Sequence, residues 1–268
     1  MKVLLVNGSP KANGNTARAL AKVAEQLKAE GIDSEAFQLG AKPIRDCIGC
    51  GQCGKLGGRC TFDDDVVNEL IAAAEQADGF VFGSPVYYAH PSGRILSALD
   101  RAFYAGSKAF AHKPGAAVAV ARRGGTSTTF DVLNKYFTIN QMPVVASTYW
   151  NNVFGAMPGE AAQDAEGLAT MRNIGKNMAW LLRCIEAGKA AGIDAPEADR
   201  VMQAVGGIDK LLNPKAKDEE TLALIQHLTP SQRFDKLLEN QQVLAEPIVR
   251  NGKKATVGYC PDVWGAWE

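Results

Sequence analysis

The chain has 268 residues, 46% hydrophobic and 22% charged, enough apolar material for one large domain and an appendage. That composition excludes a disordered or collagen-like chain. With 29 basic and 29 acidic residues the formal net charge is zero, so there is no basic field to draw in nucleic acid, and a small or apolar partner is expected.

The opening run Met1–Asn7 breaks at Gly8-Ser9-Pro10, which predicts a strand and turn and not a signal peptide. No stretch approaches the roughly 20 apolar residues of a membrane helix, so a soluble, cytoplasmic protein is expected. Short apolar runs then alternate with helical patterns, the signature of βαβ units. Strands are predicted at Lys2–Asn7, Ser34–Leu39, Gly79–Gly83, Ala116–Ala121 and Val144–Thr148. Helices are predicted at Thr16–Glu30, Asp64–Ala77, Pro91–Tyr104, Ser127–Ile139 and Ala165–Ala190. Together they suit a doubly wound five-stranded parallel α/β sheet of order 2-1-3-4-5 over residues 1–192. Residues 193–268 form an α+β extension: helices Glu197–Val205, Asp218–His227 and Pro230–Asn240, then a hairpin of Pro247–Arg250 and Ala255–Tyr259 turning at Asn251-Gly252.

The first strand runs into Gly8-Ser9-Pro10-Lys11-Ala12-Asn13-Gly14-Asn15-Thr16 and then a helix, so hydroxyls, amides and backbone N–H groups converge where a helix start favours an anion. The spacing fits neither a Walker loop nor the dinucleotide glycine pattern. Ser9, Lys11, Gly14, Asn15 and Thr16 suit a phosphate monoester held without magnesium, and FMN is such a ligand. An ordinary strand-to-helix turn capped by Asn15 or Thr16 is the alternative.

The third strand ends at Gly83-Ser84-Pro85-Val86-Tyr87-Tyr88-Ala89-His90-Pro91, at the carboxyl edge where doubly wound sheets bind ligands. Pro85, Val86, Tyr87 and Tyr88 could wall an isoalloxazine, although a tyrosine taken singly is more often a packing residue. Gly124 and Gly125, after the fourth strand, allow close backbone approach. Arg122 and Arg123 either meet a nicotinamide nucleotide phosphate or stay solvated, and His90 is given no catalytic role.

Four of the six cysteines crowd into Cys47-Ile48-Gly49-Cys50-Gly51-Gln52-Cys53 and Cys60. In a reducing compartment such crowding suggests a metal centre or redox thiols. The compact glycine-rich spacing lets one loop wrap a cubane, so a [4Fe–4S] cluster on Cys47, Cys50, Cys53 and Cys60 is preferred to zinc, with reduced thiols or a disulfide as the metal-free alternatives. Cys184 and Cys260 stand apart as ordinary thiols.

Gly8-Ser9-Pro10-Lys11 with Asn15-Thr16, Gly83-Ser84-Pro85-Val86-Tyr87 and Leu99-Asp100-Arg101 together resemble the flavodoxin-like NAD(P)H-dependent FMN reductase superfamily over roughly residues 1–190. The cysteine loop, followed by Asp63-Asp64-Asp65 that also caps the next helix, is most similar to the iron–sulfur flavoproteins. This resemblance implies a flavodoxin-like fold and an FMN-dependent oxidoreductase. Its donor would be NAD(P)H or a ferredoxin-like protein, its acceptor a quinone or other small molecule, and its form a homodimer or homotetramer. A non-catalytic electron carrier and a cluster-free interaction protein are the alternatives. The segment from Leu237 to Tyr259 resembles the end of thioredoxin-fold arsenate reductases, but Glu246 stands where those proteins carry an arginine, so no activity is carried over.

Overall fold

The computed structural model describes residues 1–193, 205, 207–228, 230–251 and 254–267. Two compact units divide the chain, Met1–Asp194 and Ala195–Glu268.

Five parallel strands form the sheet of the first unit, β1 (Lys2–Asn7), β2 (Asp33–Gln38), β3 (Gly79–Tyr87), β5 (Gly115–Ala121) and β6 (Asn152–Phe154), in the order β2-β1-β3-β5-β6. A two-residue strand, β4 (His90–Pro91), folds back antiparallel on the end of β3. With that hairpin set aside, the order is the expected 2-1-3-4-5.

Alternation along each strand sends side chains to opposite faces. Val3 and Leu5 of β1 and Val81 of β3 enter a core with Val23 and Leu27 of α1 (Asn15–Ala29) and Ile174 and Met178 of α5 (Ala165–Ala190). Leu4, Val6, Phe80 and Phe82 enter the opposite core. There they meet Leu70 of α2 (Val67–Glu75), Leu99 and Phe110 of α3 (Gly93–Phe110), and Phe137 of α4 (Thr126–Ile139). Two apolar faces on every central strand explain why β1, β3 and β5 read as near-continuous hydrophobic runs.

The predicted fifth strand needs correction. Val144 makes only an isolated parallel bridge to Gly115, and the ladder to β5 is formed later, by Asn152–Phe154 against Ala119–Ala121. Between them the chain bows outward, because side chains of α5 claim its acceptors: Asn177 Nδ2 donates to the Ala146 carbonyl (2.7 Å) and Asn173 Nδ2 to Thr148 Oγ1 (3.0 Å). Helix α2 begins at Val67, three residues after its predicted start; Val66 stands at the N-cap position, and of the acidic run Asp65 alone bonds a first-turn N–H, that of Val67. The three carboxylates go mainly to other partners: Asp63 to Arg59 and Asn68, Asp64 to Arg45, and Asp65 to Arg101, with Asp65 Oδ1 also accepting from Val67 N (3.1 Å).

In the second unit the helices Ile208–Leu211, Glu219–His227 and Pro230–Glu239 share a small core of Ile208, Leu211, Ile225, Leu237 and Val243. Strands β7 (Ile248–Asn251) and β8 (Lys254–Val257) pair as the expected hairpin. The predicted helix at Glu197–Val205 and Gly252 of the hairpin turn lie outside the described residues, apart from Val205. Among the described residues no helix is long and apolar enough to cross a membrane.

Candidate functional site

One main-chain bond joins the ends of β1 and β3, and a serine hydroxyl ties the same turn to the start of α3. Gly8 N donates to Gly83 O (2.8 Å), and Ser92 Oγ donates to Gly8 O (2.8 Å) while accepting from Ile95 N to cap α3. Gly8 is required by this close approach: a Cβ there would lie 2.8 Å from Ile95 and 2.9 Å from Gly83 O. Buried Ser84 completes the seam, accepting from Ser92 N (2.9 Å) and donating to Pro85 O (2.8 Å).

The loop that follows is shaped by two residues the sequence reading did not single out. Asn7 Oδ1 accepts from Ser9 N (3.0 Å), and Asn7 Nδ2 donates to Gln38 Oε1 (2.6 Å). Gln38 Nε2 in turn donates to Ser9 O (2.7 Å). Each is the last residue of its strand, and that is the only sequence signal either offered. Ser9 Oγ accepts from Lys11 N (3.2 Å), and Lys11 is exposed. Gly14 precedes α1, no side chain caps that helix, and Thr16 is buried in its first turn. No side chain therefore occupies the first-turn N–H groups, while Gly14 N donates to Lys11 O (3.3 Å). Asn15 differs from expectation: its amide donates to Met157 O (3.0 Å) and accepts from Ala161 N (3.3 Å), pinning the loop after β6. That leaves its backbone N–H for a phosphate.

Pro85 and Val86 are half-buried, and Tyr87–His90 forms a tight hairpin with Tyr88 and Ala89 at positive φ. Tyr88 is fully exposed at its tip (101%), so it walls no pocket within a single chain. The loop after β5 closes against this hairpin. Gly125 has φ 86°, and a Cβ there would come within 2.5 Å of Ala89 Cα, whereas Gly124, Arg122 and Arg123 are exposed. The rim of the candidate flavin site is thus the ends of β1, β3 and β5. A groove of about 530 Å³ lies beside this rim, between Ala12, Gly14 and Arg18 on one side and Phe37 and Gln38 on the other. A second, about 290 Å³, is lined by Thr126, Tyr149, Trp150, Asn152 and Asp164, and the side-chain Oδ1 of Asn152 is buried without a partner.

Cys47, Cys50, Cys53 and Cys60 line one small cavity together with Phe62, Arg101 and Tyr104, and none is in a disulfide. Among the described residues no three His, Cys, Asp or Glu side chains converge closely enough to hold a single metal ion. Four thiols around one cavity with an adjoining cation are a donor set that fits a cluster, which holds its thiolates farther apart than one ion does. Burial pushes the Cys53 thiol up, and the neighbouring cysteines add to it. Cys60 is the most firmly placed of the four. Its N–H donates to Asn68 Oδ1 (2.8 Å), and Asn68 Nδ2 donates to Cys60 O (3.0 Å) and to Phe62 O (3.2 Å). Burial opposes charge on the Arg101 guanidinium, yet its bonds to Asp65 and Cys60 outweigh that and hold it above the usual arginine range.

A doubly wound sheet with a helix start and a glycine-lined rim at its carboxyl edge has the layout in which such folds bind nucleotides and FMN. The NADPH-dependent FMN reductase model matches residues 1–156, and the chain belongs to that family as a flavin-dependent oxidoreductase. An iron–sulfur flavoprotein of Methanocaldococcus jannaschii is 35% identical over 195 residues, spanning 69% of this chain and all of that protein. An NADPH azoreductase of a Bacillus species is 33% identical over 135 residues, 50% of this chain and 65% of its own. In fold, the chain is similar to RosB (TM-score 0.53, 15% identity, covering 74% of this chain and 89% of that one). It is also similar to an NAD(P)H:quinone oxidoreductase from Methanothermobacter marburgensis (TM-score 0.50, 16% identity, 66% and 96%).

Proposed function

We propose that this protein passes electrons from NADPH, through FMN held at the ends of β1, β3 and β5, to a small acceptor of the quinone type. A [4Fe–4S] cluster on Cys47, Cys50, Cys53 and Cys60 serves as its second redox centre. The observation that carries this reading is the uncapped start of α1 beside Ser9 and Lys11, tied through Gly8 to the hairpin rim.

Bound FMN supplies the exchange between hydride and electron transfer. Ser9, Lys11 and the backbone N–H groups of Asn15 and Thr16 would hold its phosphate, with Gly14 giving the turn its room. Pro85, Val86 and Tyr87 flank the ring system, with Gly124 and Gly125 closing the far side. The exposed Tyr88 is covered by a second copy of the chain in a homodimer or homotetramer.

Support for the cluster comes from the four free cysteines around one cavity and from the relative described as an iron–sulfur flavoprotein. Anaerobically purified protein should contain FMN and iron and oxidise NADPH when a benzoquinone is added. Reduction by a ferredoxin-like protein alone, with no NADPH oxidation, overturns the donor assignment. FMN without iron after anaerobic reconstitution overturns the cluster.

A further inference from the structure

We propose that Arg101 is a positioning residue that holds the Cys60 sulfur in place and raises the reduction potential of the iron–sulfur centre. This rests on the reading of the four cysteines as cluster ligands.

The residue lies on α3, 41 positions from Cys60, and is 1% exposed. Each of its three nitrogens is committed. Nε donates to Cys60 Sγ (3.2 Å), one terminal nitrogen donates to Arg45 O (3.2 Å) and to Asp65, and the other donates to Phe62 O (3.0 Å). The planar fork is therefore locked by two carbonyls and a carboxylate, and the Nε–H it leaves over is directed at sulfur. Asn68 fixes the backbone of the same cysteine from both sides. Among the described residues, the sulfurs of Cys47, Cys50 and Cys53 receive no such donor, and these three lie on a loop that turns at Gly49 and Gly51 with positive φ. One cysteine is thus preset by side chains, while the other three are carried by a loop that turns on glycines and one 3-10 turn.

Hydrogen bonds to ligand sulfurs and nearby positive charge stabilise the more negative, reduced state of a cluster, and burial strengthens both. Asp65 offsets part of that charge. If Arg101 served only to pin the loop, its bonds to Arg45 O, Phe62 O and Asp65 would suffice, and the sulfur contact would leave no mark on the potential.

The test is an anaerobic redox titration, followed by electron paramagnetic resonance, of the iron-loaded full chain and of Arg101→Gln, Arg101→Lys and Asp65→Asn, with iron and FMN content measured on each. Arg101→Gln should be about tenfold less reduced at a fixed ambient potential, equal to a fall of about 59 mV for a one-electron couple. Arg101→Lys, which keeps the charge but not the fork, should fall between it and wild type, and Asp65→Asn should shift the other way. An unchanged potential in iron-loaded variants overturns the proposal. If Arg101→Gln fails to fold, as loss of FMN would reveal, the Arg101→Lys and Asp65→Asn arms decide by the same criterion. Wild-type protein that takes up no iron refutes the cluster reading itself, an outcome distinct from an unshifted potential.

Discussion

The flavin rim and the cysteine loop lie on the same unit but are built in opposite ways. The rim is made of strand ends joined by a main-chain bond, Gly8 to Gly83, and by the close approach of the glycine loop to Ala89, with the side chains of Asn7, Gln38, Ser84 and Ser92 bonded to the backbone beside them. The cysteine loop has no strand and only one short 3-10 turn, Gln52–Gly54, between β2 and α2. It is held by Arg45, Asp65, Asn68 and Arg101. At the rim, Gly8 and Gly125 leave no room for added volume. A site hung from a few polar side chains tolerates volume but not the loss of a partner.

The sharpest break of that contrast is Asp65→Ala. It leaves the Arg101 guanidinium buried without its carboxylate (side-chain exposures 0% and 4%), for which about 3 kcal/mol of stability should be lost in guanidinium chloride denaturation. A loss below about 1 kcal/mol, the scale of a surface pair, would mean the loop does not hang on this ion pair. On the rim, Gly125→Ala should cost about 2 kcal/mol, because alanine meets both an unfavourable positive φ and the Ala89 backbone at 2.5 Å. FMN affinity should fall with it, which quenching of flavin fluorescence on titration would measure.

Replacing exposed Cys50 with serine should change stability by no more than about 0.5 kcal/mol, yet abolish iron uptake and leave FMN bound. Retention of full iron would remove Cys50 from the ligand set. The smallest effect concerns pH. Glu160 accepts from Ala156 N (2.7 Å) and Met157 N (2.9 Å), and these bonds hold its carboxyl below the usual range. A depressed carboxyl stabilises the folded state above its unfolded pKa, about 4.3, and that support is lost as pH falls through the lower folded value. Hydrogen exchange in residues 155–161 should therefore rise at acid pH in excess of the intrinsic rate change, and Glu160→Gln should remove that excess.

How far each region could be read in advance follows from the same difference. Helix α5 was predicted at its observed bounds, and β1 and β5 within a residue, because a strand covered on both faces and a long amphipathic helix declare themselves locally; the exposed edge strand β2 was also placed within a residue. The fifth strand was misplaced because the Val144-Val145 run looks like a strand, while the residues that pull the next segment off the sheet, Asn173 and Asn177, lie on α5. In the candidate site, the cysteines and the phosphate loop stood out by spacing. Asn7 and Gln38 did not, since a polar residue ending a strand is unremarked until its partner is known.

The sequence by itself determined the α/β layering, marked the loop after the first strand as a candidate anion site and singled out the four clustered cysteines. All of these depend on periodicity or spacing within a short stretch of chain. Only the tertiary structure decided that Asn15 spends its side chain on the loop after β6, that Tyr88 stands free at a hairpin tip, and that an arginine from α3 reaches the Cys60 sulfur. Those are contacts between residues far apart in the chain, where direction and burial are set by how helices pack on the sheet, and no local pattern encodes them.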